Sequence, residues 1–462
     1  MMHGGRLPAE TSRFFGRAHE LAAVRGALAR SRLVTLTGPG GVGKTRLALQ
    51  AAGQLTADFP DGVFIADLSA ARDAPGVARA VAAALGLPAP PRRRGQPEPG
   101  WPARQLRGRR LLLVLDTAEH VVDACATLAD AVLRGGDGPA LVVTSRQALD
   151  RPGEVVFRIE PLPVGDGPGD DPGRGSADAV RLLADRAAAA APGFALTDAN
   201  LPPVVRLCQL LDGLPLAIEL AAPRLRAVGL DELLDLLPGQ LRALTSGRRA
   251  IAGDRSRSLE ESVGWSYRLC SAAERRLWTR LSVFEGGFDL AAAEAVCGPA
   301  RPGDDAGVLG PLIGLVDKSV VLRAADSGGA ARYRLLGIVR EYGAARAVGP
   351  AAAGTERHRL HYARVAREFA AALIGPGQPG LIAALAPDEA NLRLALARSL
   401  AAGDAGTAAS LAVDCWPALV SVDRLAEAGA RLDRLPEPAP PSAAVLAAAL
   451  LAVQATPRAP PR

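Results

Sequence analysis

Lysine is nearly absent from this chain. Of the 54 basic residues among 462, only Lys44 and Lys318 are lysines. The arginine excess, beside abundant Ala, Gly and Pro, reflects a GC-rich coding bias rather than chemical selection, so a lysine is informative wherever one stands. Aromatics are scarce at 4% and the formal net charge is only +6, which indicates neither a base-stacking platform nor a strongly basic phosphate-binding surface. Cysteine is sparse too. Cys125, Cys208, Cys270, Cys297 and Cys415 lie too far apart for a C-x-x-C pair, and the expectation is a reducing, cytoplasmic setting. The longest apolar run, Ala443 to Val453, is far short of the ~18–20 residues that span a bilayer. The opening MMHGGRLPAETSR has no apolar signal core, so secretion and membrane spanning are both disfavoured.

What is present is a foldable chain. Hydrophobic residues make up 49%, and the 50 Gly and 37 Pro stay below the ~25–30% that marks low complexity. At roughly 150 residues per domain the length predicts about three domains. Apolar runs at Arg32–Thr37, Gly62–Leu68, Leu111–Asp116, Ala140–Ser145 and Glu154–Ile159 alternate with helical patterns, which predicts a doubly wound parallel sheet. Between the second and third runs, Pro90 to Arg110 carries seven arginines and reads as a solvated loop rather than a phosphate site. Val164 to Ser176 reads as a linker.

Beyond it, helical patterns cover Asp178–Ala191 and Leu201–Arg226, the second broken at Gly213-Leu214-Pro215. A further unit opens near Arg255. Its Ser271-Ala-Ala-Glu274 is a capping box, and two β-like runs, Val320–Arg323 and Arg332–Leu336, close it through Gly328-Gly329, which suggests a winged helix. From Glu356 to about Leu435 the pattern is Ala- and Leu-rich helix, and the proline-rich end is expected to be disordered. The expected boundaries are a flexible lead at 1–14, a P-loop nucleotide-binding domain at 15–163, a linker at 164–176, a helical lid at 177–245, a winged helix at 255–350, the start of a helical-repeat region at 355–435 and a tail at 436–462.

Gly38-Pro39-Gly40-Gly41-Val42-Gly43-Lys44-Thr45 fits G-x-x-x-x-G-K-[ST] and lies where its chemistry requires, between a strand and a helix. Its glycines let backbone N–H groups curl around phosphate, Lys44 reaches the β and γ oxygens, and the Thr45 hydroxyl suits Mg²⁺. One of only two lysines falls here. The strand ending in Asp116 supplies the acid expected to support magnesium. Thr117, next to it, cannot act as a base, which leaves Glu119 as the nearest candidate, against a plain helix-start residue. His120 suits packing or capping. Arg146, in Thr144-Ser145-Arg146 at a strand end, is placed to detect a γ-phosphate, against a surface arginine. His358 and His361 share a helix face without a third ligand, which argues against a metal.

Phe15-Gly16-Arg17, the phosphate loop, LLLVLD, TSR and GLPLAIELAA (Gly213 to Ala222) together resemble the NB-ARC type of STAND ATPases. The closer resemblance is to bacterial LuxR-type and SARP-type regulators, through RGRRLLLVLD, LDGLPLAIELAA, WSYRL (Trp265 to Leu269), RLSVFEGGF and RYRLLGIVREYG, over roughly Arg13 to Leu435. The resemblance implies an α/β P-loop NTPase followed by an all-α lid, a winged helix and tetratricopeptide-like α-helical repeats. It implies ATP or ADP as ligand with Mg²⁺, Arg17 and Pro215 beside the adenine, and Arg46 at the end of the phosphate loop. It also implies Arg146 as phosphate sensor, and a switch more than a turnover enzyme. Three departures stand out. Thr117 replaces the usual Asn, which predicts slow hydrolysis. Leu335-Leu336-Gly337 stands where eukaryotic relatives have Met-His-Asp, which removes that histidine contact with ADP. Neither end carries a recognisable DNA-binding effector, so a switch without its output domain is expected.

Two rival readings remain beside the switch. One is a DNA-binding regulator acting through its own winged helix, disfavoured because the candidate recognition helix, Gly307 to Lys318, is apolar but for Lys318. The other is a fast mechanical ATPase, disfavoured by Thr117. The expected partners are an adenine nucleotide and, through the C-terminal helices, another protein or a second copy. Leu392, Leu394, Leu396, Leu400, Leu411, Val413, Trp416, Leu419 and Val420 are expected to need a covering partner, with the region beyond about Glu356 loosely packed when alone, against the alternative that they complete one stable core with the winged helix.

Overall fold

A computed structural model describes residues 12–88, 92–93, 96–97, 101–136, 138–165, 177–191, 193–237, 259–298, 307–324, 331–347, 351–373 and 378–415. The chain divides into two compact units. The first runs to Cys270 and includes Asp317–Val320; the second comprises Ser271–Val316 and the chain from Val321 on.

The first unit is built on five parallel strands, β1 (Leu33–Thr37), β2 (Val63–Asp67), β3 (Leu112–Asp116), β4 (Ala140–Thr144) and β5 (Glu154–Arg158), in the order β2-β3-β4-β1-β5. All five residues of β1, β3 and β4 are buried, whereas the edge strand β5 is only partly covered. Parallel strands covered on both faces need continuous apolar runs, which is why each was legible as one. The helices are α1 (Ala18–Leu28), α2 (Lys44–Gln54), α3 (Ala74–Ala84), α4 (Trp101–Leu106) and α5 (Val122–Arg134). Phe64, Leu68, Leu85, Leu106, Leu113, Leu115 and Val143 form the core on one face of the sheet. The register sets Leu36 beside Thr144 and Asp67 beside Asp116. The carboxyl ends of β1, β3 and β4 therefore open at one edge, where ligands of open α/β sheets bind.

Five further helices complete this unit: α6 (Asp178–Ala190), α7 (Leu201–Leu210), α8 (Pro215–Ala221), α9 (Leu230–Leu236) and α10 (Leu259–Leu269). Gly213 has φ +62°, which suits glycine, and Pro215 opens α8 at the position where its missing N–H costs nothing. The α10 helix, counted with the winged helix in the sequence, makes its contacts in this unit.

The second unit contains α11 (Ala272–Leu281), β6 (Gly287–Asp289), α12 (Leu290–Cys297), α13 (Leu309–Asp317), β7 (Val321–Ala324), β8 (Arg332–Leu335) and α14 (Gly337–Ala344). The antiparallel sheet β6-β8-β7 and the helices around it make a winged helix, with Trp278, Phe284 and Phe288 fully buried. The capping box is formed in both directions between Ser271 and Glu274. A helical region follows: α15 (Ala351–Ala372), α16 (Gln378–Leu385), α17 (Glu389–Ala401) and α18 (Ala405–Asp414).

Within this region the expected exposed leucines are corrected. Leu392, Leu396 and Leu411 are buried where α15, α17 and α18 pack together, and Leu394, Leu400 and Val413 are half-buried. The stripe is core because three helices already close over it. Asn391 secures it, accepting a bond from the Glu285 N–H at 2.8 Å and donating to the Gly287 carbonyl at 2.7 Å. Trp416, Leu419, Val420 and the tail lie outside the described residues, as do 166–176 of the linker and Gly328-Gly329. No described helix is long and apolar enough to cross a membrane.

Candidate functional site

The phosphate loop turns from β1 into α2 through three glycines with positive φ, Gly38 (+148°), Gly41 (+80°) and Gly43 (+97°). Gly43 stands at the N-cap of α2 without a side-chain cap, so the first helical N–H groups face the loop. The Lys44 ammonium is held over the loop, donating to the carbonyls of Gly38 at 2.9 Å and Pro39 at 3.0 Å. Burial, reinforced by the Arg146 cation, lowers Lys44 to about 8 against the opposing pull of Glu119 and Asp116. Two cations this close favour an anion between them.

Thr45 and Asp116 meet. The Thr45 hydroxyl donates to Oδ1 of Asp116 at 2.6 Å, and the Thr144 hydroxyl donates to the same oxygen at 2.6 Å. Thr144 in turn accepts from the Thr117 N–H at 2.9 Å. Thr117 has φ +63°, a left-handed conformation unusual for a β-branched residue. No cluster of three metal-ligating side chains occurs among the described residues. The donor set instead fits Mg²⁺, which favours one hydroxyl and one carboxylate together with phosphate oxygens and water.

Arg146 and Glu119 are also brought together. Both are buried, and Arg146 Nε donates to Glu119 Oε1 at 3.1 Å. Burial raises the Glu119 carboxyl, but Arg146 and Lys44 outweigh it and hold the group below its ordinary range. A carboxylate committed in this way is a weak proton acceptor. The rest of the guanidinium reaches α10: Nη1 bonds the Ser266 hydroxyl, and Nη2 donates to the Ser262 carbonyl and hydroxyl, both at 3.1 Å. The Ser319 hydroxyl donates to the Arg146 carbonyl at 2.8 Å. A Cβ on Gly40 would lie 3.0 Å from both Nη atoms, so Arg146 sits directly against the loop.

On the other side of the loop, Arg17 is buried, donating to Glu20 at 2.8 Å and to the Val42 carbonyl at 3.3 Å. Pro215 places the next N–H, that of Leu216, 3.2 Å from the Gly41 carbonyl. Arg46 turns away from the loop toward Glu219 at 3.4 Å and the Ser12 carbonyl at 2.9 Å. His120 packs, as expected, bonding the Ala71 carbonyl at 2.7 Å with its ring edge-on to Trp265. Among the histidines outside the site, His358 is buried against Phe284 and Tyr362. Thr144, Ser262, Ser266 and Ser319 escaped the sequence reading as site residues. Only Thr144 carried a signal, its place at a strand end beside Asp116.

Comparison with known proteins adds the family. Residues 28–144 match the AAA domain family and residues 270–347 the winged helix-turn-helix domain family. The chain is 38% identical over 395 residues to "Putative HTH-type transcriptional regulator Rv0890c" of Mycobacterium tuberculosis, covering 85% of this chain and 42% of that one. It is 38% identical over 355 residues to "Uncharacterized protein Rv0894" of the same organism, covering 75% of this chain and 85% of that protein. The chain belongs to their family of P-loop ATPases. "Regulatory protein AfsR" of Streptomyces coelicolor is 31% identical over 358 residues, 73% of this chain and 32% of AfsR. The chain thus spans less than half the length of Rv0890c and about a third of AfsR. As a P-loop ATPase related to bacterial transcriptional regulators, it carries the phosphate loop and Asp116 inside the AAA match, with Arg146 two residues beyond it.

Proposed function

We propose that this chain is a signalling switch of the NB-ARC/STAND type, read out by whether ADP or ATP, with Mg²⁺, occupies the phosphate loop. One observation carries the reading: the Arg146 guanidinium lies against Gly40 of the loop while its remaining donors hold α10. In this reading the loop N–H groups of Gly38, Gly40, Gly41, Val42 and Gly43 bind the phosphates, Pro39, which has no N–H, shapes the turn between them, and Lys44 neutralises them. Thr45 and Asp116 hold the metal, and Arg17 and Pro215 border the adenine. Bound Mg²⁺ would supply charge neutralisation at the phosphates. Glu119, paired and held ionised, supports Arg146 rather than abstracting a proton from water, so turnover is slow. The helical region from α15 on would serve as a tetratricopeptide-like sensor and bind a protein partner. Calorimetric titration of the full chain with ADP and ATP tests the reading: binding by the wild type and its loss in Lys44→Ala support it, and equal affinity in both removes it.

A second reading rests on the winged helix-turn-helix match and the regulator relatives: that this chain binds DNA itself. Against it, α13 exposes the apolar Leu309 and Ile313 and, as its exposed charge, the acidic Asp317, and such a surface does not suit a groove lined by phosphates. Binding to one promoter fragment at physiological salt that survives random competitor DNA would favour it.

A further inference from the structure

The guanidinium of Arg146 is shared among acceptors of two kinds. Glu119, from the turn after β3, is a charged acceptor at 3.1 Å. Ser262 and Ser266, one helical turn apart on α10, are neutral acceptors that take both Nη groups. The same face of α10 is fixed at two other points: Trp265 packs edge-on against His120 with ring centroids 5.1 Å apart, and Leu259 lies over Gly41, whose Cβ would stand 3.5 Å from its Cδ1. A Cβ on Gly40 would collide with the Ser262 hydroxyl, so this hydroxyl occupies the space immediately beside the loop apex. The arrangement is buried throughout, with Arg146, Glu119, Ser262 and Ser266 each less than a tenth exposed.

We propose that Ser262 and Ser266 are positioning residues that hold Arg146 in the diphosphate-bound or nucleotide-free site, and that a terminal phosphoryl group on the loop takes their place on the guanidinium, releasing α10. The proposal rests on the nucleotide-binding reading above. Its direction follows from hydrogen-bond strength. A phosphate oxygen carries charge and can be taken by a guanidinium through two parallel bonds, so it is a stronger acceptor for Arg146 than a neutral hydroxyl is. It therefore displaces the serines, while Glu119, itself charged and reaching Arg146 through Nε, keeps its bond and anchors the side chain. A diphosphate lacks the competing group, so the serines stay in place. In this way Ser262 and Ser266 set the preference between the two nucleotides: they stabilise the state in which Arg146 is not bound to phosphate. The chain passes from α10 to α11 through Cys270 and Ser271 alone.

The test uses the full chain with Mg²⁺, ADP and a non-hydrolysable ATP analogue. Hydrogen exchange is measured across α10, and both affinities are measured for wild type, Ser262→Ala/Ser266→Ala and Lys44→Ala. In the wild type the amides of α10 are expected to exchange at least about tenfold faster with the triphosphate than with ADP. In the double alanine variant α10 should exchange fast with either ligand, and the ratio of triphosphate to diphosphate affinity should rise about tenfold. That ratio is a readout a merely structural role for the serines would leave unchanged. Equal α10 protection with both nucleotides, each bound and each lost in Lys44→Ala, overturns this proposal and leaves the nucleotide-binding reading standing. Failure of the wild type to bind either nucleotide overturns both.

Discussion

Arg146 Nε lies 3.1 Å from Glu119 Oε1, and both side chains are less than a tenth exposed. The pair joins the ends of β3 and β4, strands that are neighbours in the sheet but whose ends are 28 residues apart in the chain, as Asp116 and Thr144 show. Removing one member strands a buried charge, which typically costs about 3–5 kcal/mol, more than the ~0–1 kcal/mol that a solvent-exposed ion pair is worth. Glu119→Ala and Arg146→Ala should each lower the unfolding midpoint in urea. The double variant should lose clearly less than the sum, a coupling of roughly 0.5–3 kcal/mol. Glu119 acting alone as a proton acceptor would give no such coupling.

The Lys44 ammonium is expected to set the pH range of nucleotide binding. Its value near 8 is depressed by burial and by Arg146, so the cation is present below pH 8 and is lost as the pH rises through 8. Phosphate restores the charged form, so binding takes up a proton where the free group is deprotonated. Affinity for ADP should therefore fall above pH 8 by up to about tenfold per unit. Calorimetry in buffers of different ionisation enthalpy should report proton uptake near pH 8.5. Lys44→Arg, which stays charged, should flatten the profile.

Thr117, where the families the sequence resembles usually have Asn, stands in a strained conformation. With φ +63° it occupies the left-handed region, where Asn is far better tolerated than a β-branched residue. The strain is of order 1–3 kcal/mol, and what the geometry secures is the bond from the Thr117 N–H to the Thr144 hydroxyl. The Thr117 hydroxyl itself sits 3.5 Å from Asp116 and contributes little. Thr117→Asn should therefore raise stability by about 1 kcal/mol, measured by denaturant unfolding, whereas Thr144→Val should lower it by ~1–3 kcal/mol by leaving the Thr117 N–H and Asp116 each short of a partner.

The residues that were legible in the sequence share one property: their chemistry or burial is local. The five strands of the first unit appear as apolar runs because most are buried on both faces, and the phosphate loop appears because strand, glycines, lysine and helix are contiguous. Gly287–Asp289 was not legible, since three residues are too few to show alternation. Ser262 and Ser266 were not legible either. A serine on an amphipathic helix has no signature of its own, and its partner lies 116 residues away for Ser262 and 120 for Ser266. The leucines of α17 and α18 were visible as apolar, but only the packing of α15 across them decides that they are core.

His358 is a buried acid-sensitive point of the second unit. It is fully buried, its Nε2 lies 3.2 Å from Asn391 Oδ1, and its Nδ1 has no hydrogen-bond partner. Burial, followed by the nearby Arg398 cation and His361, lowers it to about 3, although the Asn391 contact opposes the shift. The sign follows from the unfolded chain, in which the imidazole returns to its ordinary value near 6.5. A depressed folded value means that the unfolded state binds the extra proton between about pH 6.5 and 3. Stability is thus whole above 6.5 and is lost as the pH falls through that window, with a slope of up to ~1.4 kcal/mol per pH unit from this one group. Hydrogen exchange of α15 and α17 should quicken steadily between pH 6.5 and 4 after correction for the intrinsic rate. His358→Gln removes the titration while leaving an amide able to face Asn391, and it should flatten that dependence even where it lowers stability at pH 7. An unchanged slope in this variant would assign the acid sensitivity to other groups.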